Sequence, residues 1–210
     1  MDEKIEKIKK WLGDGSINIF GIQFSGKDTV GKRLSELLNA QFISSGDVVR
    51  QNADNQKLDN KNTSDCGLLT PTKEFSELME NFLVNETNAG KPLVLSSVGR
   101  WIGEEVGIMK ALESGGHNLR AVIHLEISKD EVYKRWEASK IIGDRAGRAD
   151  DMDKAKIDQR IKEFEDKTLP VIEVYRQMGL LIEINGEQAR NEVFNEVIDK
   201  LYIFSRNITS

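Results

Sequence analysis

The sequence has a single cysteine, Cys66, which excludes an intrachain disulfide and a cysteine-based zinc site. No apolar run is long enough to cross a bilayer, and the N-terminal stretch lacks the uninterrupted apolar core of a signal peptide. Basic residues are not in excess either, because the net charge is −5. These absences predict a cytoplasmic protein that binds neither membranes nor nucleic acid, with a local basic cleft for a small polyanion still allowed. They leave the oligomeric state open.

The chain has 210 residues, of which 39% are hydrophobic and 31% charged, as in an ordinary single globular domain. Short apolar runs predict five strands, at residues 17–22, 40–44, 92–97, 121–127 and 180–184. Apolar residues at helical spacing predict a short first helix and further helices near 27–40, 73–86, 101–113, 129–138, 152–177 and 188–204. Strands that alternate with helices indicate an α/β fold with a parallel sheet covered on both faces.

Residues 21–29, GIQFSGKDT, nearly match the phosphate-binding loop G-x-x-x-x-G-K-[S/T]. Gly21, Gly26 and Lys27 have the required spacing, but Asp28 occupies the hydroxyl position and Thr29 comes one place late. The loop follows a predicted strand and opens a predicted helix, and this context makes a helix N-terminus an anion site. Lys27 can reach the outer phosphates of a nucleotide there.

Basic side chains follow several of the predicted strands. Arg50 and Arg100 come after the second and third strands, where open α/β sheets bind ligands. Taken singly, each such arginine is better explained as a solvated surface charge. Several basic residues at strand ends that face one crevice instead favour a polyphosphate site. The other candidates besides Arg50 and Arg100 are Arg135, Lys140, Arg145, Arg148 and Arg160.

Five motifs occur in the order found in adenylate kinases and related nucleoside monophosphate kinases of the short-lid type, which this chain resembles from about residue 17 to 201. They are GIQFSGKDT (21–29), ISSGDVVR (43–50), LSSVGR (95–100), GRADD (147–151) and IDQRIKEF (157–164). The threonine of the family loop also comes one place late. The resemblance implies a three-layer αβα P-loop fold with a five-stranded parallel sheet. It also implies one kinase domain, 1–210, with an acceptor flap at about 45–73 and a short lid at about 138–151.

The resemblance also implies the roles of individual residues. Residues matching the ATP site are Ser25, Gly26, Lys27, Asp28, Thr29 and Arg135. Residues matching the monophosphate site are Ser45, Arg50, Arg100 and Glu104. Residues expected to act in catalysis are Lys27, Arg100, Arg148 and Arg160, and Lys140 stands near the place of another lid arginine. The implied reaction is reversible transfer of the ATP γ-phosphoryl group to a nucleoside monophosphate, with AMP as the leading acceptor (ATP + AMP = 2 ADP) and Mg²⁺ accompanying ATP.

Three departures from the family pattern concern the phosphate loop and the magnesium ion. Phe24 and Asp28 replace glycines, and Ser96 stands where the family has the aspartate that organises the magnesium waters. Because Phe24 is bulky, we expect either that the loop bends differently here or that the Phe24 side chain faces an apolar pocket. No residue is assigned as a direct metal ligand; Asp28 and Thr29 are candidates through water. We hypothesise that Asp28 replaces the missing aspartate from the loop side.

A fourth departure concerns the acceptor base. Glu104 replaces a glutamine that pairs with adenine in the family, and a carboxylate only accepts hydrogen bonds, which favours guanine. Ser45 keeps the hydroxyl of the adenine-specific members, so the two hints conflict. The alternatives are therefore a kinase that prefers GMP or a pyrimidine monophosphate, and a nucleotide-binding homologue without turnover. A kinase for a metabolite hydroxyl is disfavoured by the motif ISSGDVVR. His117 and His124 are interpreted as core or surface residues, not as ligands.

Overall fold

The protein is described by a computed structural model, which covers residues 2–46, 48, 72–84, 90–142 and 153–207. Most of the predicted flap and lid, including Arg50 and Arg148, lies outside these residues. The principal elements, in chain order, are α1 (Asp2–Leu12), β1 (Ser16–Gly21), α2 (Lys27–Leu38), β2 (Gln41–Ser44), α3 (Thr72–Leu83), β3 (Leu93–Ser96), α4 (Glu104–Ser114), β4 (Leu119–Glu126), α5 (Lys129–Ile142), α6 (Lys154–Glu163), a π-helix (Phe164–Thr168), α7 (Leu169–Gln177), β5 (Leu181–Asn185) and α8 (Arg190–Asn207).

The five strands form one parallel sheet in the order β2-β3-β1-β4-β5. The predicted strands and the α/β fold are confirmed, with strand ends displaced by one or two residues. In the register of the sheet, Ile19 of β1 lies beside Ser96 of β3. This pairing brings the turn after β1 next to the turn after β3, at the carboxyl edge where ligands bind in such sheets.

Apolar side chains cover both faces of the sheet. On one face, Ile17 and Ile19 pack with α1, α2 and α8. On the opposite face, Phe20 packs with α5, α6 and α7, while Leu93 and Leu95 pack with α3 and α4. The alternation follows from the period-2 geometry of a strand, and it gives the expected three layers. Of the helices in the described ranges, none is both long enough and apolar enough to cross a bilayer.

The first helix is part of the core. Ile8 and Leu12 of α1 are buried, and α1 packs against α8 through Trp11, whose ring centroid lies 6.0 Å from that of Phe204. An exposed ion pair at the other end joins Lys4 to Asp199 at 2.6 Å. Helix α1 therefore extends the helical layer on this face, although exposed ion pairs of this kind add little stability.

The helix predicted over 152–177 is confirmed as one helical segment from Lys154 to Gln177, within which a π-helix at Phe164–Thr168 widens the turn. Pro170 lies in the first turn of α7. It has no N–H to donate, and its ring clashes with the carbonyl four residues back. The preceding turn widens instead, and the Leu169 N–H bonds to the Phe164 carbonyl five residues back. Such π segments often occur at functional sites.

Candidate phosphate-binding site

The turn between β1 and α2 needs glycine at two positions. At Gly21, a Cβ would collide with the side chain of Ser25. Gly26 caps α2 with a φ of 89°, in the left-handed region, and a Cβ built there would meet no atom within 4 Å. Because Gly26 gives no side-chain cap to the first turn of α2, that turn is open to an external anion.

Phe24 keeps the backbone conformation that a glycine would have at its position. Its φ is 63°, in the left-handed region, and its partly buried ring packs against the apolar cluster that contains Phe20 and Ile161. Of the two predicted outcomes, the side chain facing an apolar pocket is the one observed. The packing offsets a conformation that costs about 1–2 kcal/mol in a residue with a Cβ.

Two side chains tie the backbone of this loop to its surroundings. Arg135 of α5 donates from Nη1 to the Phe24 carbonyl at 3.1 Å and from Nη2 to the Gly186 carbonyl at 2.7 Å. Gln23, which is 5% exposed, donates from Nε2 to the Ile157 carbonyl of α6 at 3.2 Å. The loop is therefore fixed to the two helices that carry Arg135 and Arg160. Sequence reasoning missed Gln23, because a glutamine in the variable part of the motif carries no signal of its own.

Asp28 and Ser96 are in direct contact. The Ser96 hydroxyl donates to Asp28 Oδ1 at 2.6 Å, and Ser96 is 1% exposed at the end of β3. A hydroxyl–carboxylate bond of this length is charge-assisted. Thus the residue that replaces the second loop glycine meets the residue that replaces the family aspartate.

Arg100 and Arg160 place two positive charges close together beside the loop. Burial, followed by the neighbouring charge of Arg160, lowers the pKa of Arg100 to about 10, so its guanidinium remains charged at neutral pH. The carboxylates of Glu104, Glu163 and Asp28 oppose this shift. Arg100 Nε is buried and has no hydrogen-bond partner among the described residues. Two cations held in this way leave a donor for an anionic group such as a phosphate.

Glu104 is turned toward the backbone. It is 2% exposed, and its Oε2 accepts from the Arg100 N–H at 2.7 Å and the Trp101 N–H at 3.1 Å. These bonds close the turn between β3 and α4, so α4 begins at Glu104, three residues after the predicted start at 101. The carboxylate therefore helps to fix the position of Arg100.

Sequence reasoning also missed the polar contacts of Glu163, whose charge acts on Arg100. Glu163 is 6% exposed, and it accepts from Lys167 at 2.6 Å and from Gln159 at 3.3 Å. Lys167 lies on the π-helix, with its Nζ 4.1 Å from the centroid of the Trp101 ring. The π-helix thus places Lys167 beside Glu163 and Trp101, and no local sequence signal gives the position of the π-helix.

The remaining predicted residues lie as follows. Ser45 is buried directly after β2, while Lys27 is partly exposed and Thr29 exposed on the first turn of α2. Lys140 donates to Glu137 at 2.9 Å and lies 3.4 Å from the centroid of the Trp136 ring. Among the described residues, no group of three or more His, Cys, Asp or Glu side chains could hold a metal ion by itself. His117 and His124, for which the sequence allows core and surface positions alike, are buried.

Known proteins match the chain over most of its length. A family model described as Adenylate kinase matches residues 19–180. An adenylate kinase of Caldanaerobacter subterraneus subsp. tengcongensis is 27% identical over 206 residues, which is 85% of this chain and 92% of the relative. An adenylate kinase of Mycolicibacterium paratuberculosis is 30% identical over 179 residues, covering 84% and 93%. One from Methanocella arvoryzae is 27% identical over 205 residues, covering 85% and 94%.

With this match, the all-parallel sheet and the loop between β1 and α2 have one explanation: the chain belongs to the adenylate kinase family and is a phosphotransferase.

Proposed function

We propose that the protein transfers the γ-phosphoryl group of ATP reversibly to a nucleoside monophosphate, with AMP as the preferred acceptor. The observation that carries this proposal is Arg100, which lies near Asp28 of the loop and the charge of Arg160 and keeps a buried Nε donor without a partner among the described residues, a donor that suits an incoming phosphate. Similarity to proteins named adenylate kinase supports AMP as the acceptor.

In this proposal the protein provides position and charge. Phosphoryl transfer needs little covalent help but demands in-line alignment and fixed positive charge around the moving group. The first turn of α2 and Lys27 hold the ATP phosphates, and Arg100 holds the acceptor phosphate. Arg160 stabilises the charge that develops during transfer. Arg50 and Arg148 keep their predicted roles, and both lie outside the described residues.

The residues at the loop suit the Mg²⁺ that the family uses with ATP. Asp28 provides a carboxylate, and Thr29 and Ser96 provide hydroxyls, so the donor set consists of hard oxygen atoms. Mg²⁺ is usually held by one or two carboxylates together with substrate phosphates, not by a cage of protein ligands. When bound, it neutralises charge on the ATP phosphates.

A coupled assay for ADP formation tests the proposal with ATP, Mg²⁺ and a panel of AMP, GMP, CMP and UMP. We expect the highest kcat/KM with AMP, and a loss of kcat of about 100-fold or more in Lys27→Ala, the scale for one preorganised donor. Lys32→Ala, one turn further along α2, is the matched control and should keep kcat. ATP binding without turnover of any monophosphate would instead favour a non-catalytic nucleotide-binding protein.

The same panel tests the base preference suggested by Glu104. Because Glu104 Oε2 already caps the turn, we expect Glu104→Gln to keep both the cap and the preference for AMP, since an amide oxygen can accept the same N–H bonds. A preference for GMP in the wild type that moves to AMP in Glu104→Gln would instead assign Glu104 to base recognition.

A further inference from the structure

The loop of this protein carries a carboxylate where an anion is expected to bind. Asp28 lies in the first turn of α2, one residue after Lys27 and two after the N-cap Gly26. A carboxylate beside the phosphates of ATP repels them unless a cation lies between the two. The presence of Asp28 therefore needs an explanation that the phosphates alone do not give.

Ser96 fixes the direction of this carboxylate. It is buried at the carboxyl end of β3, next to Ile19 in the register of the sheet, and its hydroxyl bonds to Asp28 Oδ1 at 2.6 Å. Strand β3 is an interior strand that pairs with β2 on one side and β1 on the other, so Asp28 is held by the sheet as well as by its own helix. A carboxylate held in one orientation can accept hydrogen bonds from the water molecules bound to a metal ion and so keep those waters in place.

Asp28 has a second possible role, which is to balance the positive charge of Arg100. Its negative charge raises the pKa of Arg100, against the larger effects of burial and Arg160. Asp28 could thus serve only to balance the charge of Arg100. The two roles predict different effects of removing the Asp28 charge on ATP affinity. Only a carboxylate that binds the metal waters makes that effect depend on whether the metal ion is present.

We infer that Asp28, oriented by Ser96, provides the carboxylate that receives the water ligands of the Mg²⁺ bound with ATP. Ser96 is in this view a positioning residue, and the negative charge of the metal site comes from the phosphate loop instead of the end of β3. The inference rests on the proposed use of Mg·ATP. In this chain the carboxylate would thus come from Asp28, whereas the family pattern has an aspartate at the position of Ser96.

Calorimetric titration of ATP, with and without Mn²⁺ as the metal probe, separates the two roles without using activity. In Asp28→Asn we expect metal-free ATP to bind at least as tightly as to the wild type, because a repulsive charge is lost. We expect Mn·ATP to bind about tenfold more weakly. Equal tightening of both forms would overturn the inference and leave charge balance with Arg100. Asp199→Asn, an exposed carboxylate on α8, is the matched control and should change neither affinity.

Two further variants test the part played by Ser96. Ser96→Ala should weaken Mn·ATP in the same direction as Asp28→Asn but by less, since the carboxylate remains and only its orientation is lost. An unchanged Mn·ATP affinity in Ser96→Ala overturns the positioning role. The double variant Asp28→Gly with Ser96→Asp moves the carboxylate back to the strand, and it should recover most of the affinity for Mn·ATP that Asp28→Gly alone loses.

Thermal unfolding of every variant identifies those that fail to fold, and Asp28→Asn, which is nearly isosteric, keeps the test available if Asp28→Gly is unstable. Turnover with AMP tests the proposed function separately. A protein that binds Mn·ATP through Asp28 but phosphorylates no monophosphate keeps this inference and loses the proposed function. An active kinase whose Asp28→Asn variant binds Mn·ATP normally keeps the proposed function and loses the inference.

Discussion

The side chain of Asn18, in the middle of β1, closes a two-way hydrogen bond with the backbone of Val98. Asn18 Nδ2 donates to the Val98 carbonyl at 2.7 Å, and the Val98 N–H donates to Asn18 Oδ1 at 3.4 Å. Asn18 is fully buried. The turn that leads from β3 to Arg100 is thus attached to the neighbouring strand by a side chain as well as by the ladder.

Replacing Asn18 with leucine should destabilise the protein by about 2 kcal/mol or more, because a buried backbone group left unpaired costs about 1–3 kcal/mol. Urea denaturation measures the change in the free energy of unfolding. Asn81→Leu is the control: Asn81 is an exposed asparagine that bonds to its own helix, and its replacement should stay within about 0.5 kcal/mol. Equal effects of the two substitutions would contradict the role given to Asn18.

A second stability prediction concerns Ser97, whose φ of 54° lies in the left-handed region. This conformation costs a residue with a Cβ about 1–2 kcal/mol of folding free energy. Glycine avoids that strain but costs about 0.5–1 kcal/mol, because its more flexible unfolded chain loses more entropy on folding. The substitution Ser97→Gly should therefore stabilise the protein by up to about 1 kcal/mol. The N–H that bonds to the Ile19 carbonyl at 3.0 Å is kept.

Ser44→Gly is the comparison for Ser97→Gly, because Ser44 lies in β2 and is not among the residues with positive φ. There the glycine should cost about 0.5–1 kcal/mol, the opposite sign. Thermal unfolding of the two variants side by side measures the difference. If both variants lose stability equally, the left-handed backbone at Ser97 carries no cost.

The loop brace from Arg135 gives a prediction for kinetics. Arg135→Ala removes charged donors to the Phe24 and Gly186 carbonyls. Because such hydrogen bonds contribute about 1.5–3 kcal/mol each, the KM for ATP should rise by about tenfold or more. The KM for AMP should change by less than about threefold, since Arg135 lies on the side of the loop away from β3.

Arg176→Ala is the matched control for Arg135→Ala. Arg176 is an exposed arginine of α7 that pairs with Glu173 and Glu183. Its removal should leave both KM values unchanged. An equal rise in the two KM values of Arg135→Ala would point to general loss of structure and not to a role on the ATP side.

The interior strands β1, β3 and β4 are predictable from sequence because each is a short apolar run buried on both faces, as the interior of a parallel sheet requires. The edge strands β2 and β5 are only partly buried, but their apolar residues still mark them. The loop is predictable because Gly21 and Gly26 meet steric demands that few other residues satisfy. The position of Arg100 after β3 follows from the same reasoning. These parts depend on local chemistry or on the periodicity of a single element.

Other parts depend on how distant elements meet. The contact between Asp28 and Ser96 requires the register that sets Ile19 beside Ser96, whereas charge reasoning predicted only that Asp28 replaces the missing aspartate. The cap from Glu104 to the Arg100 backbone depends on a turn conformation. The position of Lys167 depends on a π-helix that a helical pattern alone does not reveal.

The last prediction concerns pH and His124 of β4. Burial lowers the pKa of His124 below its ordinary value of 6.5, while Glu126 and Glu183 raise it and Arg176 lowers it further. The folded protein therefore keeps this ring neutral at a pH where the unfolded chain takes up a proton. Above pH 6.5 the two states bind the same number of protons here, and stability does not depend on His124. As the pH falls below 6.5, protonation favours the unfolded chain and stability is lost until the folded pKa is passed.

Urea denaturation at a series of pH values from 7.5 to about 5 measures this slope, in a window above the one in which carboxylates titrate. Glu183 belongs to that lower window, because its hydrogen bond to Arg176 lowers its pKa and its contribution is lost only as the pH falls through that lowered value. His124→Gln removes the titrating ring, so its stability should fall less steeply than that of the wild type between pH 6.5 and 5. Parallel profiles for the two proteins across this window would show that another group controls the acid sensitivity.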